Sequence, residues 1–292
     1  MTAASAGGGW RRAFVLVATA VLMLSVLDSA MKYLVAKYPL PMVAWSRYFF
    51  HFLTFGLWIL VAYRSAAIRT RRLPLQTVRA LLLVTMTFLF VASLDWLMLA
   101  DATAINFLAP IVVTALSATV LGETVGWHRW LAVAVGFVGV LVIVRPGADV
   151  VNWGALLALG ATFFFALYQI ATRALAPTDP AATTLFYTAL VGTVVTSLMV
   201  PFYWATPTAA DFAVMVVGGA MGGGGHYLLI HAYRYAEASL IAPLFYVQIV
   251  FATALGFALF GEMPDLWTFV GAAMIIAGGL WIWARERRAA RT

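Results

Sequence analysis

The sequence has no cysteine and few charged residues. Without cysteine, the chain can form no disulfide and offers no thiolate for catalysis or metal binding. Charged residues make up 10% of the 292 positions, compared with about 25% in an average soluble protein, whereas hydrophobic residues make up 64%. So few polar groups cannot cover the surface of a soluble protein of this size, and most of the chain must face lipid.

Apolar segments of about 20 residues, the length that crosses a hydrocarbon core of about 30 Å as a helix, recur along the whole chain. They lack the strict apolar-polar alternation of strands in a membrane barrel. The sequence therefore predicts an all-α membrane protein with ten transmembrane helices. The predicted spans cover residues 13–31, 42–62, 75–97, 102–121, 130–144, 153–172, 181–203, 212–233, 240–260 and 266–283.

Basic residues are distributed unevenly among the connections between these spans. Alternate connections, beginning with the N-terminal segment, carry 14 Lys and Arg residues, whereas the intervening ones carry 3. Because basic residues near helix ends stay on the cytoplasmic side, both termini are predicted to be cytoplasmic. The same distribution explains the net charge of +7 as a consequence of membrane topology. No nucleic-acid partner is therefore expected.

The two halves of the sequence repeat each other at offsets of 136 to 141 residues. The matching positions are Asp28, Lys32 and Pro39 with Gln169, Arg173 and Pro180, Ala100-Asp101-Ala102 with Ala236-Glu237-Ala238, and Leu121-Gly122-Glu123 with Phe260-Gly261-Glu262. Since each half holds five helices, an odd number, the second copy enters the membrane from the opposite side. The expected domains are therefore a first repeat at 1–147 and a second, inverted repeat at 148–292, a common design of secondary transporters.

This organisation resembles the EamA-type branch of the drug/metabolite transporter superfamily. The resemblance rests on the two five-helix repeats, the Gly-Glu pair that closes the fourth helix of each repeat, and the small-residue fifth helices. It also rests on Ala-Pro pairs near the fourth and ninth helices, Ala109-Pro110 and Ala242-Pro243. Within that branch, the chain is most similar to YddG-type exporters of aromatic amino acids. The resemblance implies a bacterial-type inner (plasma) membrane location and a central cavity enclosed by the first, third, fourth, sixth, eighth and ninth helices.

The function expected from this resemblance is secondary transport, namely the export of aromatic and possibly other amino acids or similar small metabolites by alternating access. The alternative is export of other small metabolites or drugs by proton exchange. A membrane-embedded enzyme is a further alternative, but the sequence lacks a nucleophile with its base or clustered carboxylates at usable spacing. The expected partners are a small-molecule substrate and the lipid bilayer, and no cofactor or metal is expected.

Charged residues inside the spans are the first candidates for function, because an ionised group there is costly unless it is paired or hydrated. Asp28 lies in the outer half of the first helix, and Arg47 enters the second helix to about the same depth. They form a predicted ion pair, with Lys32 as a competitor one turn from Asp28. The pair is either a structural link between helices or, alternatively, Asp28 or Lys32 meets the zwitterion of an amino-acid substrate.

A run of six glycines in the eight positions from Gly218 to Gly225 precedes His226 and Tyr227 in the eighth span. Glycine weakens a helix, so the run must serve either close approach to a neighbouring helix or a locally opened backbone that lines the cavity. His226 and Tyr227 are candidate cavity residues at this position. A metal site at His226 and His231 is not expected, since no nearby carboxylate or cysteine completes it.

Neutral hydrogen-bonding residues in other spans complete the predicted substrate-binding set. They are Tyr168 and Gln169 in the sixth span, Asn106 in the fourth, Tyr246 and Gln248 in the ninth, and Trp96 near the outer end of the third. Gln169 occupies the repeat position of Asp28, which places it toward the same cavity. Each residue could equally join helices or, for Trp96, anchor the protein at the interface.

Glu123 and Glu262 are too far apart for joint acid-base chemistry, because inverted topology places them at opposite membrane faces. Each is instead expected to cap the helix that follows, whose positive end favours a carboxylate.

Overall fold

The computed structural model describes residues 3–64, 68–120, 127–144, 153–232, 235 and 242–289, and all regular elements within them are helical. The α-helices are α1 (Ala3–Val35), α2 (Leu40–His51), α3 (Leu57–Tyr63), α4 (Leu73–Ser93), α5 (Leu99–Asn106), α6 (Ala109–Val120), α7 (Trp127–Val144), α8 (Trp153–Leu175), α9 (Ala181–Met199), α10 (Ala209–Ala232), α11 (Val247–Phe260) and α12 (Leu266–Ala289). The prediction of an all-α protein is confirmed for the described residues. Glu123, Glu237 and Arg145, used in the sequence argument, lie outside them.

Five helical segments are long and apolar enough to cross a membrane. They are Arg12–Val35, Leu73–Ser93, Trp153–Leu175, Ala181–Phe202 and Ala209–Ala232, and shorter apolar segments lie at Leu99–Val113, Trp130–Val144, Leu244–Phe260 and Leu266–Trp281. The second predicted span is also helical, but its α2 and α3 segments are joined by a π-helical turn at Phe52–Gly56. The described residues thus form ten helical stretches near the ten predicted positions, while the sidedness of the termini stays a prediction.

Two of these stretches depart from regular α-helix beside a proline. The fourth is divided into α5 and α6, with Pro110 at the second position of α6. The ninth begins with a 3-10 turn at Ala242–Tyr246, which contains Pro243, before α11 continues. Proline has no N–H to donate and its ring clashes with the preceding turn, so a regular α-helix cannot continue through it. In both halves, the described part of the fourth stretch therefore departs from regular α-helix at its Ala-Pro pair.

The chain divides into two compact units, and each contains helices from both sequence halves. Unit 1 comprises residues 1–25, 98–152 and 225–292, and unit 2 comprises residues 26–97 and 153–224. The division between units falls within α1 and within α10, so both of these helices contribute to each unit.

In unit 1, helices α7 and α12 pack closely through glycines. A methyl group added to Gly139 would lie 2.8 Å from the carbonyl oxygen of Gly271, so the two backbones are nearly in contact. Without side chains between them, the helices gain dispersion contacts along their length, the main driving force for helix association in lipid. A separate apolar cluster in this unit is formed by Val17, Val21 and Ala232.

In unit 2, α4 packs along α8, and α9 packs along α2 and α4. The ring of Tyr48, a fully buried residue of α2, occupies the space beside Gly192 of α9. Its hydroxyl lies 2.8 Å from the Thr87 hydroxyl and donates to the Leu83 carbonyl at 3.1 Å. The polar end of this aromatic side chain is therefore satisfied within the helix interface.

The glycine run lies in a regular part of α10, without a break in the helix. A Cβ at Gly219 would lie 2.5 Å from the Cβ of Phe50 and 3.0 Å from the carbonyl oxygen of Ser46, both in α2. Of the two interpretations of the run, these contacts support the close approach of neighbouring helices at Gly219. A larger residue here would have to move backbone atoms of α2.

Glu262 caps a helix, but the observed helix belongs to the other sequence half. Gly261 ends α11 in the left-handed conformation, with φ +67°, and the Glu262 amide donates to the Gly256 carbonyl at 3.1 Å. The Glu262 carboxylate then accepts the Leu99 amide at 2.9 Å at the start of α5. The following helix, α12, is capped by Asp265, which accepts the Thr268 amide at 2.9 Å.

Candidate functional site

Arg79 is the buried cation at the centre of a polar cluster in unit 2. Arg79 lies near the start of the predicted span 75–97 and is one of the 14 basic residues in the charge count, and the structure places it in the second turn of α4 with 4% of its surface exposed. We define the Arg79 cluster by its contacts, which are Tyr168 and Thr172 of α8 and Thr184 and Thr188 of α9. The predicted span already contains Arg79, and the observed helix begins slightly earlier, at Leu73-Pro74.

The guanidinium of Arg79 donates four hydrogen bonds that join three helices. Its Nε donates to the Thr172 hydroxyl at 2.6 Å and one Nη donates to the Tyr168 hydroxyl at 2.5 Å, both on α8. The other Nη donates to the Thr188 hydroxyl at 2.6 Å and the Thr184 carbonyl at 3.3 Å, both on α9. The Tyr168 ring also lies 4.3 Å from the guanidinium carbon, a cation-π contact.

The Arg79 cluster is electrically unbalanced. All four acceptors are neutral, and none of the carboxylates in the described part of the chain forms an ion pair with Arg79. A buried cation without a counter-ion is costly at membrane depth unless hydrogen bonds replace its hydration. The cluster therefore both holds α4, α8 and α9 together and leaves a positive charge within the unit.

Tyr168, a predicted substrate-binding residue, belongs to this cluster, and Gln169 follows it on α8. The Tyr168 ring stacks on Phe165 at 5.7 Å, so one of its faces is covered by an aromatic side chain. Gln169 is partly exposed, and its side chain makes no hydrogen bond within the described residues. Its role as a cavity residue stays a prediction.

The remaining predicted residues of unit 2 lie around the other end of the unit. Lys32 donates to the Leu97 carbonyl at 2.7 Å, beyond the end of α4. Trp96 is 65% exposed in the same connection. Arg47 is buried, with its guanidinium carbon 5.7 Å from the Tyr48 ring centroid, while Asp28 is partly buried on α1. The predicted ion pair between Asp28 and Arg47 stays a prediction.

In unit 1, Asn106 and Tyr246 lie near the two Ala-Pro pairs. Asn106 is the last residue of α5, and its side-chain oxygen is buried without a hydrogen-bond partner among the described residues. The next residue, Phe107, contacts Tyr246 with ring centroids 5.2 Å apart. The Tyr246 hydroxyl lies against Gly279 of α12, where only a glycine leaves room for it. The polar oxygen of Asn106 therefore lies one residue from a pair of aromatic rings, Phe107 and Tyr246.

His226, Tyr227 and Gln248, also in unit 1, are partly exposed. The ring of Tyr227 contacts His231 one turn later, with centroids 4.2 Å apart, and the His231 Nδ1 lies 3.2 Å from the Tyr227 carbonyl oxygen. No sequence pattern predicted this contact.

Neutralising Asp28 and Arg47 together tests their predicted pairing. Asp28→Asn or Arg47→Gln alone leaves one charge uncompensated at membrane depth, and each is expected to lower the yield of folded protein. The double variant should recover much of that loss, which a double-mutant cycle on the yield of monodisperse protein measures. If the two losses simply add, the residues are not coupled, and Asp28 is better assigned to substrate or proton binding.

Helices long and apolar enough to cross a membrane, with polar groups inside them, are those of a multi-pass membrane protein. The model of the EamA-like transporter family matches the chain twice, at residues 11–145 and 152–284. The chain therefore belongs to the EamA-like transporter family, and the family expected from the sequence is confirmed.

Relatives with named substrates match most of the chain. An S-adenosylmethionine uptake transporter of Rickettsia bellii is 30% identical over 265 residues, covering 91% of each chain. A riboflavin transporter of Rhizobium johnstonii is 28% identical over 270 residues, covering 91% of this chain and 89% of the relative. A pseudopaline exporter of Pseudomonas aeruginosa is 24% identical over 228 residues, with coverage of 76% and 79%. These names differ in both substrate and direction, and the finer likeness to aromatic amino-acid exporters stays a prediction.

A solved crystal structure also shares the fold. It aligns with 95% of this chain and 98% of its own, with a TM-score of 0.64 and 18% sequence identity. The ten helical stretches described above therefore form an architecture already known in a solved protein.

Proposed function

We propose that the protein transports small zwitterionic metabolites that carry an aromatic or heteroaromatic ring across a bacterial inner membrane, with S-adenosylmethionine as the first candidate. The observation that carries this proposal is the likeness to S-adenosylmethionine uptake transporters over 91% of the chain. S-adenosylmethionine combines an amino-acid zwitterion with a purine ring. Phenylalanine and tryptophan, the class favoured by the sequence, combine the same zwitterion with a phenyl or an indole ring.

The chemistry of the candidate residues is consistent with such a substrate. A zwitterion needs a few polar groups that hold it without trapping it, and its ring needs aromatic or apolar walls. Unit 2 supplies the buried charge of Arg79, with Tyr168 and Gln169 beside it. Unit 1, taken by itself, contains the side-chain oxygen of Asn106, which has no hydrogen-bond partner among the described residues, and the ring of Tyr246.

The proposed mechanism is alternating access, in which the bound substrate is exposed to one membrane face at a time. Facilitated diffusion is the simplest form, since the sequence contains no nucleotide-binding motif. Proton coupling through His226 or Asp28 is the alternative. The direction in the cell then follows from the gradients of the substrate and of protons.

Uptake into proteoliposomes tests the substrate class. We expect saturable uptake of radiolabelled S-adenosylmethionine that excess phenylalanine or tryptophan inhibits, and weaker inhibition by riboflavin, which has a ring but no zwitterion. Recovered substrate should have an unchanged mass, which separates transport from an enzymatic reaction. Uptake of none of these compounds above that of empty liposomes would reject the proposal, and indifference to an imposed pH gradient would reject the proton-coupled form.

Single substitutions test the proposed cavity. Gln169→Ala and His226→Ala are expected to lower the initial uptake rate about tenfold, the effect of losing one hydrogen bond to a charged substrate group. Val61→Ala, at an exposed position of α3, is the control and should leave the rate unchanged. If both variants transport normally at equal amounts of monodisperse protein, the cavity lies elsewhere.

A further inference from the structure

Asp179 links the two sequence halves by hydrogen bonds at one end of unit 2, and we call such a link a fastener. This buried carboxylate precedes α9 and accepts hydrogen bonds from the Thr70 hydroxyl at 2.5 Å, the Gln76 side-chain amide at 2.8 Å and the Arg71 backbone amide at 3.3 Å. These donors lie in the connection before α4 and in its first turn. The connection between α8 and α9 is therefore bonded to the start of α4.

Asp211 fastens the other end of unit 2 in the same way. This buried carboxylate lies in the first turn of α10 and accepts the Tyr38 hydroxyl at 2.7 Å, the Thr208 hydroxyl at 2.9 Å and the Lys37 ammonium at 3.1 Å. Tyr38 and Lys37 lie in the connection between α1 and α2. That connection is therefore bonded to the start of α10.

The two contacts are counterparts in the inverted repeat. Asp179 and Tyr38 are 141 residues apart, and each precedes the proline that begins the second span of its half, Pro180 or Pro39. Each bonds to the start of the third span of the opposite half, which is α4 for Asp179 and α10 for Tyr38. In one contact the carboxylate, Asp179, lies in the connection before a second span, and in the other the carboxylate, Asp211, lies at the start of a third span. In both contacts the same two parts of the repeat are joined.

The two contacts lie at opposite ends of the unit. Tyr38 precedes the helical stretch of residues 40–63, and Thr70 follows it. A continuous stretch of that length rises about 36 Å, which is more than the thickness of a hydrocarbon core. Each carboxylate is thus near a different membrane face.

We propose that Asp179 and Asp211 are paired positioning residues of the transport cycle, each holding unit 2 closed at one membrane face and releasing it when that face opens. The proposal rests on membership of a transporter family and not on the identity of the substrate. Inverted repeats allow the same movement to occur at either face, so equivalent fasteners at both faces are what alternating access requires. Charge-assisted hydrogen bonds are strong enough to hold a closed end, yet they can be exchanged for water when it opens.

The two ends differ in charge. The ammonium of Lys37 faces Asp211, and its hydrogen bond to Tyr33 together with the carboxylate of Asp211 raises the pKa of Lys37 above its ordinary value. Asp179 instead binds neutral groups. Although partial burial alone would raise the pKa of Asp179, its hydrogen bonds with Thr70, Gln76 and the Arg71 amide lower it, so the carboxylate stays ionised at neutral pH.

Single-cysteine labelling can follow each end separately, because the chain contains no native cysteine. Met42→Cys and Thr183→Cys are matched reporters. They are 141 residues apart, 0% and 1% exposed, and each lies in the first turn of the helix next to its fastener, α2 or α9. The rate of maleimide labelling at each reporter in proteoliposomes measures how often that end opens.

Asp211→Asn is expected to raise the labelling rate of the Met42→Cys reporter about tenfold and not that of the Thr183→Cys reporter. Asp179→Asn should do the reverse. Any other pattern, including equal changes at both reporters or no change at either, overturns the proposal.

Milder variants keep the test decisive if an aspartate variant is not monodisperse. Tyr38→Phe and Thr70→Val each remove one hydroxyl from one fastener and should raise labelling at the reporter of that end only. Because labelling needs no substrate, this result stands or falls independently of the S-adenosylmethionine assay.

Discussion

Arg79→Ala is expected to lower the stability of the protein by about 3 kcal/mol, because it removes hydrogen bonds from a charged group to two helices and leaves a cavity. Arg79→Lys should be nearly as damaging. The lysine keeps the charge but offers three donors from a single atom, whereas the guanidinium reaches four oxygens on α8 and α9 from three nitrogens.

Arg79→Met is the control for this prediction, because it fills much of the same volume without burying a charge. Thr172 and Thr188 also donate to carbonyls of their own helices, at 2.7 Å each, so they remain bonded when the guanidinium is lost. Replacing a buried charge by an apolar side chain of similar size is often close to neutral, and we expect the loss to be less than half of that in the alanine variant. Thermal unfolding followed by size-exclusion chromatography measures the loss of stability in the alanine, lysine and methionine variants. A lysine variant as stable as the parent would show that the three separate nitrogen donors of the guanidinium are not needed.

Gly219→Ala is expected to destabilise the protein by about 1–3 kcal/mol even though alanine is the better helix former. The added methyl group would meet the Phe50 Cβ at 2.5 Å and the Ser46 carbonyl oxygen at 3.0 Å, and neither atom can move without α2. In a transport assay, the same variant should lower the transport rate if transport requires the close contact between α10 and α2.

Gly222→Ala, one turn later, is the matched control. Its methyl group would lie 3.1 Å from the nearest atom, the end of the flexible Leu27 side chain, which can rotate away. The gain in helix propensity of about 1 kcal/mol should then offset most of the packing cost. Equal losses of thermal stability in the two variants would mean that the whole run, and not the contact at Gly219, is limiting.

The transporter class and the helical stretches could be read from the sequence with little help from the structure. Apolar segments in lipid must satisfy their backbone hydrogen bonds internally, so their length alone predicts helices. The helix break before Pro110 follows in the same way, since proline ends a helix by its own covalent structure. Substrate identity is not fixed by such patterns, because relatives with the same architecture carry different compounds.

The candidate site was predicted less completely. Tyr168, Gln169 and Asn106 were identified as polar residues at membrane depth, and the structure adds their surroundings. Arg79 lies inside the predicted span 75–97 but was counted as a topology signal, because a basic residue close to a predicted helix end usually is one. Its burial depends on hydroxyls that reach it from α8 and α9, which hydropathy does not register.

The sequence by itself determined the all-helical membrane architecture, the two related halves and the family, since each depends on local apolar length or on the order of short motifs along the chain. Only the tertiary structure decided which residues meet. Asp179 binds Thr70, Asp211 binds Tyr38 and Glu262 caps α5, across 109, 173 and 163 residues respectively. Each contact joins the two halves of the sequence. A carboxylate in a connection can satisfy many donors equally well, and packing of the helices decides which donor lies within 3 Å of it.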